Sequence, residues 1–204
     1  MNGLICVYKP QNMTSFDVVA EVRKRLNIRK VGHSGTLDPN AEGILLLAVN
    51  KATKSLQFLN VGDKTYLATM RLGYATDTGD VWGNKTVAKP IKPFNEEQVL
   101  KIFEMFEGPM RQKVPMVSAK KYKGKKLYEY ARQGQVIKPR YTDIHIHRLE
   151  LLAMDESSIT FRADVSNGTY IRSLVEDIAC ALGNEGHMTS LLRERLGSFT
   201  LDDA

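Results

Sequence analysis

The sequence has little that would suit a secreted or a membrane protein. Two cysteines occur in 204 residues, and Cys6 and Cys180 lie far apart, so a disulfide framework is not expected. No stretch approaches about 18 consecutive apolar residues, which excludes a spanning helix. The first ten residues also lack the long apolar run of a signal peptide. We therefore expect a protein of a reducing, cytoplasmic compartment.

Neither sign of charge dominates the composition. Lys and Arg number 29 and Asp and Glu number 23, which gives a net charge of +6 and a pI near 9.2. This mild excess permits a polyanionic partner but does not require one. Hydrophobic residues make up 43% and charged residues 25%, which excludes wholesale disorder. The length suits one ordinary domain, or one domain with an insertion.

The spacing of apolar residues predicts a mixture of strands and helices. Strands are expected at 4–8, 44–49, 65–72, 144–154 and 159–166, the last two forming a hairpin. Helices are expected after Thr14, after Asn95 up to Gly108-Pro109, at 171–182 and, shorter, at 190–195. Loops are expected at 32–43 and 73–83. This order predicts an α+β fold with a largely antiparallel central sheet flanked by helices.

The densest candidate for chemistry is the loop Gly32-His33-Ser34-Gly35-Thr36-Leu37-Asp38-Pro39. Its glycines, proline and small polar residues indicate a tight turn that presents His33 and Asp38 ahead of a buried strand. It is not a phosphate-binding P-loop, because no Gly-Lys-Ser/Thr follows at the required spacing. From the residues alone, Asp38 and Thr36 could equally do no more than brace the turn through hydrogen bonds to the main chain.

This loop, together with Gly43 and Lys51-Ala52-Thr53-Lys54, resembles the signature of the TruB family of tRNA pseudouridine synthases. Further segments match the family in the same order. They are Lys9-Pro10 with Thr14-Ser15, Lys64-Thr65-Tyr66 through Asp77-Thr78, Val117 to Arg132, Gly168 to Arg172, and His187 to Phe199. The resemblance spans essentially the whole chain. It departs at Leu192, where the family more often has an arginine.

The resemblance implies a function and a domain organisation. Residues 1–204 would form a pseudouridine-synthase-like catalytic domain, with a basic RNA-gripping insertion at about 110–141 and without the C-terminal PUA-type domain of bacterial members. The enzyme would isomerise the T-loop uridine at tRNA position 55 to pseudouridine, after flipping the base out of its stack. The T-arm of tRNA is the implied partner. No cofactor, metal, membrane or protein partner is implied, and a monomer is expected.

The resemblance also implies roles for single residues. The catalytic residues would be Asp38, which starts the reaction, Arg172, which pairs with it, and Tyr66, which lies against the target base. The substrate-binding residues would be His33, Tyr170, Leu191, Lys9, Lys121 and Arg132. Among these, His33 would fill the place that the uridine leaves, and Tyr170 and Leu191 would wall its pocket. Without the family match, each of these residues could be an ordinary packing or solvated residue.

The segment from Arg111 to Lys126 holds seven basic residues and no acidic one. Such a run is usually a solvated face. Here it is interleaved and followed by tyrosines, which suits looped RNA that is bound through its phosphates and by stacking.

The pair His145 and His147 is a candidate for metal binding, because alternate residues of a strand lie on the same face. Two distant cysteines and the lack of a second histidine pair argue against a metal there.

Two other functions stay open at this point. The chain could be a noncatalytic tRNA-binding or tRNA-folding chaperone, or a pseudouridine synthase that acts on another RNA. A chaperone would need the basic segment but not the trio Asp38, Tyr66 and Arg172, all of which are present.

Overall fold

The computed structural model describes residues 2–58, 62–135 and 137–204. The chain divides into two compact units, Met1–Leu67 with Ser190–Ala204, and Ala68–Thr189. The strands are β1 (Gly3–Lys9), β2 (Val31–His33), β3 (Glu42–Val49), β4 (Lys64–Leu72), β5 (Tyr74–Thr76), β6 (Lys85–Ala88), β7 (Gly108–Lys113), β8 (Lys121–Tyr122), β9 (Lys125–Lys126), β10 (Tyr141–Met154), β11 (Ser158–Val165), β12 (Gly186–Leu196) and β13 (Phe199–Thr200). The helices are α1 (Ser15–Leu26), α2 (Glu96–Phe106), α3 (Leu127–Arg132) and α4 (Ile171–Ala181), with 3-10 helices at Asn50–Gln57 and Leu201–Asp203.

Strand β3 forms the centre of the first unit. It pairs antiparallel with β1 and with β2, and parallel with β12. Both of its faces are buried, since Leu45 and Leu47 pack in the cluster that contains Val18 of α1, whereas Ile44 and Leu46 pack with residues of the other face. Burial on both faces explains why this strand is a continuous apolar run rather than an alternating one.

The first two predicted elements of this unit are present. Helix α1 begins after Thr14, whose side chain accepts a hydrogen bond from the Asp17 N–H while the Asp17 carboxylate accepts one from the Thr14 N–H. This reciprocal pair is a capping box. The strand expected at 4–8 is present as β1, in which Leu4 is 39% and Tyr8 45% exposed. It lies at the end of the strand order, where β3 is its neighbour.

The second unit is built on strands in the order β4-β11-β10-β7. The predicted hairpin is confirmed, because β10 and β11 pair antiparallel and the Asp155 carboxylate accepts hydrogen bonds from the N–H groups of Ser157 and Ser158. Helix α2 begins at a second capping box, formed by Asn95 and Gln98. It packs on this sheet, and its Phe103 ring lies 5.6 Å from that of Phe161, centroid to centroid.

Several sequence-based expectations are wrong in detail. Residues 190–195 are not a helix but the end of strand β12, where Arg195 donates a hydrogen bond to the Thr65 hydroxyl. Leu, Arg and Glu favour helices only weakly, and pairing with neighbouring strands overrides that preference. Each of the two expected loops also contains a short strand. Strand β2 overlaps the start of the loop expected at 32–43, and β5 follows Gly73 in the loop expected at 73–83. Gly108-Pro109 follows the end of α2 but itself starts strand β7.

Candidate active site

The loop that carries Asp38 is fixed to the beginning of helix α1. The Ser15 hydroxyl accepts a hydrogen bond from the Leu37 N–H at 3.0 Å and lies 3.2 Å from the Leu37 carbonyl oxygen, to which it donates. The Pro39 carbonyl accepts one from the Asn12 N–H at 2.9 Å. Ser15 is buried and Asp38 is partly exposed. The scaffold therefore holds the main chain on both sides of Asp38, and the residue stays partly exposed.

Lys9, which the family resemblance implies to be a substrate-binding residue, has no exposed surface. Its ammonium donates hydrogen bonds to the carbonyls of Pro10 and Met13, at 2.9 and 2.7 Å. Burial lowers the pKa of Lys9 to about 8, while the charges of Asp38 and Glu42 act in the opposite direction. Direct contact of this ammonium with RNA is thus contradicted by its burial. Lys9 is placed to hold the turn before α1 and to put a positive charge near Asp38.

Sequence reasoning did not single out Arg193, which is buried behind the same loop. Its guanidinium is 1% exposed and donates a hydrogen bond to the Ile44 carbonyl at 2.8 Å. Its main chain lies opposite Gly43, where φ is +106° and an added Cβ would come within 2.3 Å of the Arg193 carbonyl oxygen. Only glycine fits this position. The Gly43 of the family signature therefore has a packing reason, which the sequence alone did not give.

Three further predicted site residues belong to the first unit. Tyr66 of β4 and Leu191 of β12 are each 7% exposed, and their strands are neighbours. His33, at the end of β2, lies edge-on to the Phe16 ring with 5.3 Å between centroids. Phe16 is 64% exposed. The roles of Tyr66, Leu191 and His33 toward a substrate stay predictions.

Arg172, in the first turn of α4, belongs to the second unit. Its side chain is only 5% exposed. Its two terminal nitrogens donate hydrogen bonds to the carbonyls of Thr78 and Val117, at 2.6 and 2.7 Å, and its Nε lies 3.9 Å from the Asp80 carboxylate. One guanidinium thus connects the loop after β5 with the segment after β7. The implied pairing of Arg172 with Asp38 stays a prediction.

Asp80 is a buried acid that sequence reasoning missed. Its carboxylate accepts hydrogen bonds from the Thr78 hydroxyl at 2.8 Å and from the Trp82 N–H at 3.0 Å. The dense run Asp77-Thr78-Gly79-Asp80 was the available signal, because four small or acidic residues in a row seldom serve packing alone. Asp80 shapes the loop that receives Arg172.

Tyr170 lies just before α4, and the buried Gln112 fixes its main chain. The Gln112 amide accepts a hydrogen bond from the Tyr170 N–H at 2.8 Å and donates one to the Tyr170 carbonyl at 3.0 Å. Such a two-point contact sets the start of α4, and with it the position of Arg172 two residues later. Where the Tyr170 ring contacts a substrate stays a prediction.

The predicted RNA-gripping segment presents cations against tyrosine rings. Strands β8 and β9 form a small hairpin that ends at Lys121 and Lys126, and α3 follows directly. Lys121 and Arg132 are exposed. Four charged groups lie 5.0 to 5.6 Å from the centroids of two tyrosine rings: Arg140 and Lys123 at Tyr122, and Arg132 and Lys126 at Tyr128. Neutral rings beside cations form a surface that can accept both phosphates and bases.

His187, at the start of β12, is a buried histidine whose ring stacks on Tyr74 at 4.2 Å. Burial lowers the pKa of His187 below its usual 6.5. The unfolded chain therefore takes up a proton that the folded chain resists, so the free energy of unfolding should fall as pH drops below 6.5. In the variant His187→Phe this fall between pH 7 and 5 should be smaller, as measured by urea unfolding. The exposed His145→Phe is the matched control, and equal slopes in all three proteins would contradict the prediction.

No helix among the described residues is long and apolar enough to cross a membrane. Within residues 2–58, 62–135 and 137–204, no group of three or more His, Cys, Asp or Glu side chains is arranged to hold a metal ion. His145 and His147 do stack on one another, at 4.7 Å between ring centroids.

Comparison with known proteins identifies the family. The model of the TruB family pseudouridylate synthase N-terminal domain matches residues 23–171. The chain belongs to the TruB family. The predicted family and the predicted α+β fold are thus confirmed, and the motifs from Lys9 to Phe199 were sufficient to find them.

Members of the TruB family from distant bacteria are similar along the whole chain. The tRNA pseudouridine synthase B of Hydrogenovibrio crunogenus is 42% identical over 205 residues, which cover 100% of this chain and 67% of that protein. The proteins of the same name from Psychrobacter cryohalolentis and Bacillus pumilus are 43% and 41% identical and are covered to 58% and 68%. The chain therefore spans 58% to 68% of the length of these curated TruB relatives.

Solved structures agree with this assignment to the TruB family. A chain in the crystal structure of a Cbf5-Nop10-Gar1 complex superimposes with a TM-score of 0.75 at 33% identity, covering 97% of this chain and 50% of that one. A chain of an H/ACA RNP bound to a substrate RNA containing 2′-deoxyuridine gives a TM-score of 0.71 at 31% identity, covering 97% and 48%.

Proposed function

We propose that this chain converts a uridine in the T-loop of tRNA to pseudouridine. The observation that carries the proposal is Asp38, a partly exposed carboxylate on a fixed loop, in a chain that belongs to a family of pseudouridylate synthases. The relatives that are similar over the whole chain are named tRNA pseudouridine synthase B. This supports tRNA as the substrate.

The proposed reaction is an isomerisation that needs neither a redox cofactor nor an energy source. The bond between N1 of uracil and C1′ of the ribose breaks, the base turns, and a bond between C5 and C1′ forms. The hydrogen of C5 leaves as a proton, and N1 gains one, so atoms and electrons balance. Residues that start the reaction and move this proton are therefore sufficient.

Asp38 is proposed to start the reaction as an ionised carboxylate. It can attack the sugar, attack the base or help to remove a sugar proton, and each of these roles needs the charge. A nearby cation favours the ionised form against burial. Lys9 supplies positive charge from within the same unit, and Arg172 is proposed as the pairing partner on the strength of the family motif. Tyr66 is proposed to lie against the target base.

The uridine must leave its stack to reach Asp38, at a cost of about a few kcal/mol. His33 is proposed to take the vacated place, because imidazole is flat and can form hydrogen bonds. The exposed Phe16 ring contacts the imidazole at an interplanar angle of 88° and would support its position from the side. Tyr170 and Leu191 are proposed to wall the pocket that holds the flipped base.

The basic segment is proposed to hold the T-arm by its phosphates, with Lys121 and Arg132 among its contacts. If so, neutralising Lys121, Lys123 and Lys125 to glutamine should weaken tRNA binding and reduce its salt dependence. Each lost phosphate contact lowers the slope of log affinity against log salt by somewhat less than one unit. The rate at saturating tRNA should change less. Binding isotherms at several salt concentrations measure both quantities.

A matched control for these lysines exists on α2. Lys101 is exposed and lies among Glu97, Leu100 and Glu104, so it is not expected to contact RNA. The variant Lys101→Gln should leave the slope unchanged. If the triple variant keeps the slope of the unmodified protein, the lysines belong to a merely solvated face.

We also propose a cellular compartment and an oligomeric state for this chain. Cys6 and Cys180 are both free thiols, which is consistent with a reducing, cytoplasmic compartment. We propose that the chain acts as a monomer, since the family resemblance implies no protein partner.

Release of the C5 hydrogen tests the proposed activity. With tRNA transcribed from [5-³H]uridine, the protein should release tritium into water in proportion to the pseudouridine formed. A noncatalytic chaperone would bind the same tRNA and release none. Bound tRNA without tritium release would therefore reject the enzyme and favour the chaperone.

A further inference from the structure

Trp82 is an exposed aromatic residue that none of the proposed roles uses. It is the sole tryptophan of the chain, and it is 56% exposed next to Val81, which is 44% exposed. An exposed tryptophan is uncommon where nothing covers it, because its large ring loses most by staying in water. The exposure of this ring therefore indicates that Trp82 binds a partner.

The loop that carries Trp82 is held at both ends. The Trp82 N–H donates to the Asp80 carboxylate at 3.0 Å, and the Val81 N–H donates to the Met188 carbonyl at 2.9 Å. On the other side, an added Cβ at Gly83 would lie 2.3 Å from the Thr78 hydroxyl, so the chain folds back tightly. A rigid loop loses little entropy when its side chain binds, which favours a binding role over a mobile tip.

The same loop is connected to Arg172. The Arg172 guanidinium donates to the Thr78 carbonyl and lies 3.9 Å from the Asp80 carboxylate, which in turn holds the Trp82 N–H. The main chain of Trp82 is thus linked through Asp80 to a residue of the proposed catalytic trio.

The segment that follows Trp82 carries the positive charge that an anionic partner needs, whereas Asp77 and Asp80 precede the tryptophan. Residues 81–94 include three lysines and no Asp or Glu. Lys85 is exposed, and its ammonium lies 4.1 Å from the centroid of the Tyr74 ring, which stacks on the buried His187. Lys89 is neutralised by Glu185 at 2.5 Å, which leaves Lys85 as the better-placed cation.

We infer that Trp82 stacks on an unpaired base of the RNA substrate while Lys85 contacts a neighbouring phosphate. Indole offers a flat face to any base, and base stacking of this kind is tolerant of sequence. The inference rests on the proposed function for the identity of the RNA. It adds a contact surface outside the basic segment at about 110–141, on the loop that Arg172 holds.

The single tryptophan allows a direct test, because all indole emission comes from this site. Unmodified tRNA transcript is titrated into the variant Asp38→Asn, which should bind the RNA without turning it over. Tryptophan emission should be quenched with the same midpoint as binding measured by filter retention. Unchanged emission at saturating tRNA would overturn the inference and leave the indole available to a protein partner instead.

Two substitutions at Trp82 separate stacking from a merely structural effect. Trp82→Ala should weaken tRNA binding about tenfold or more, whereas Trp82→Phe should keep it within about threefold, since stacking on an exposed ring contributes roughly that range per base. Both should keep the thermal unfolding midpoint. Met105→Ala removes an apolar side chain that is 75% exposed on α2 and should have no effect on binding. Equal affinity of all four proteins would contradict stacking.

The phosphate contact has its own measurement. Lys85→Gln should lower the slope of log affinity against log salt by about 0.7 to 0.9. These outcomes are distinct from a failure of the proposed function. Quenching without any tritium release would keep this surface and reject the enzyme, whereas tritium release without quenching would keep the enzyme and reject the surface.

Discussion

Asp38→Asn should abolish pseudouridine formation and leave tRNA affinity within a few-fold. The amide has nearly the shape of the carboxylate, but it can act neither as a nucleophile nor as a base. Loss of an essential group of this kind commonly lowers the rate by about a thousandfold or more. The loop should keep its position, because hydrogen bonds to the main chain of Leu37 and Pro39 hold it on both sides of Asp38. Single-turnover kinetics with saturating enzyme measure the effect.

The control for this substitution is Asp155→Asn. Asp155 accepts hydrogen bonds in the turn between β10 and β11, and hydrogen bonds to its carboxylate lower its pKa to about 2. The variant should lose some stability but no activity. If Asp38→Asn retained more than about a tenth of the unmodified rate, Asp38 would not be the residue that starts the reaction.

Arg172→Lys should be slowed about a hundredfold or more and should also be less stable. An ammonium cannot bind the carbonyls of Thr78 and Val117 while facing a carboxylate in the two-point geometry of a guanidinium. At least one buried carbonyl would lose its donor, which costs about 1–3 kcal/mol. Single-turnover rates and the thermal unfolding midpoint should therefore both fall, and tRNA binding should fall less.

Arg25→Lys is the matched control for the arginine. Arg25 is exposed on α1, where it pairs with Glu21 at 2.6 Å, so its replacement should change neither rate nor stability noticeably. A variant Arg172→Lys that folds and turns over normally would reject both the implied pairing with Asp38 and the role of Arg172 in holding the loop.

Local signals in the sequence were read correctly wherever neighbouring residues decide the structure. The capping boxes at Thr14 and Asn95 start α1 and α2, and the alternation on both sides of Asp155 forms the β10–β11 hairpin. The short strand β2 and the strand at 190–195 were missed. Both depend on pairing with residues that are distant in the sequence, and local propensity does not contain that information.

The same difference between local signals and contacts with distant residues applies to the candidate site. The family motifs indicate Asp38 and Arg172, but not how each is held. Lys9 was expected to bind the substrate, but it is fully buried and its ammonium donates hydrogen bonds to two carbonyls of its own turn. Asp80 and Arg193 were not singled out. Each is buried because of contacts with residues that are distant in the sequence, and local patterns do not show such contacts.

The central claim is best tested by mapping pseudouridine in an unmodified tRNA transcript after incubation with this chain. Carbodiimide labelling followed by primer extension locates each pseudouridine to the nucleotide. The account predicts one new pseudouridine, in the T-loop, which is absent when Asp38→Asn replaces the unmodified protein. A transcript that is bound but contains no pseudouridine, or one that is modified elsewhere while the T-loop uridine stays intact, would contradict it.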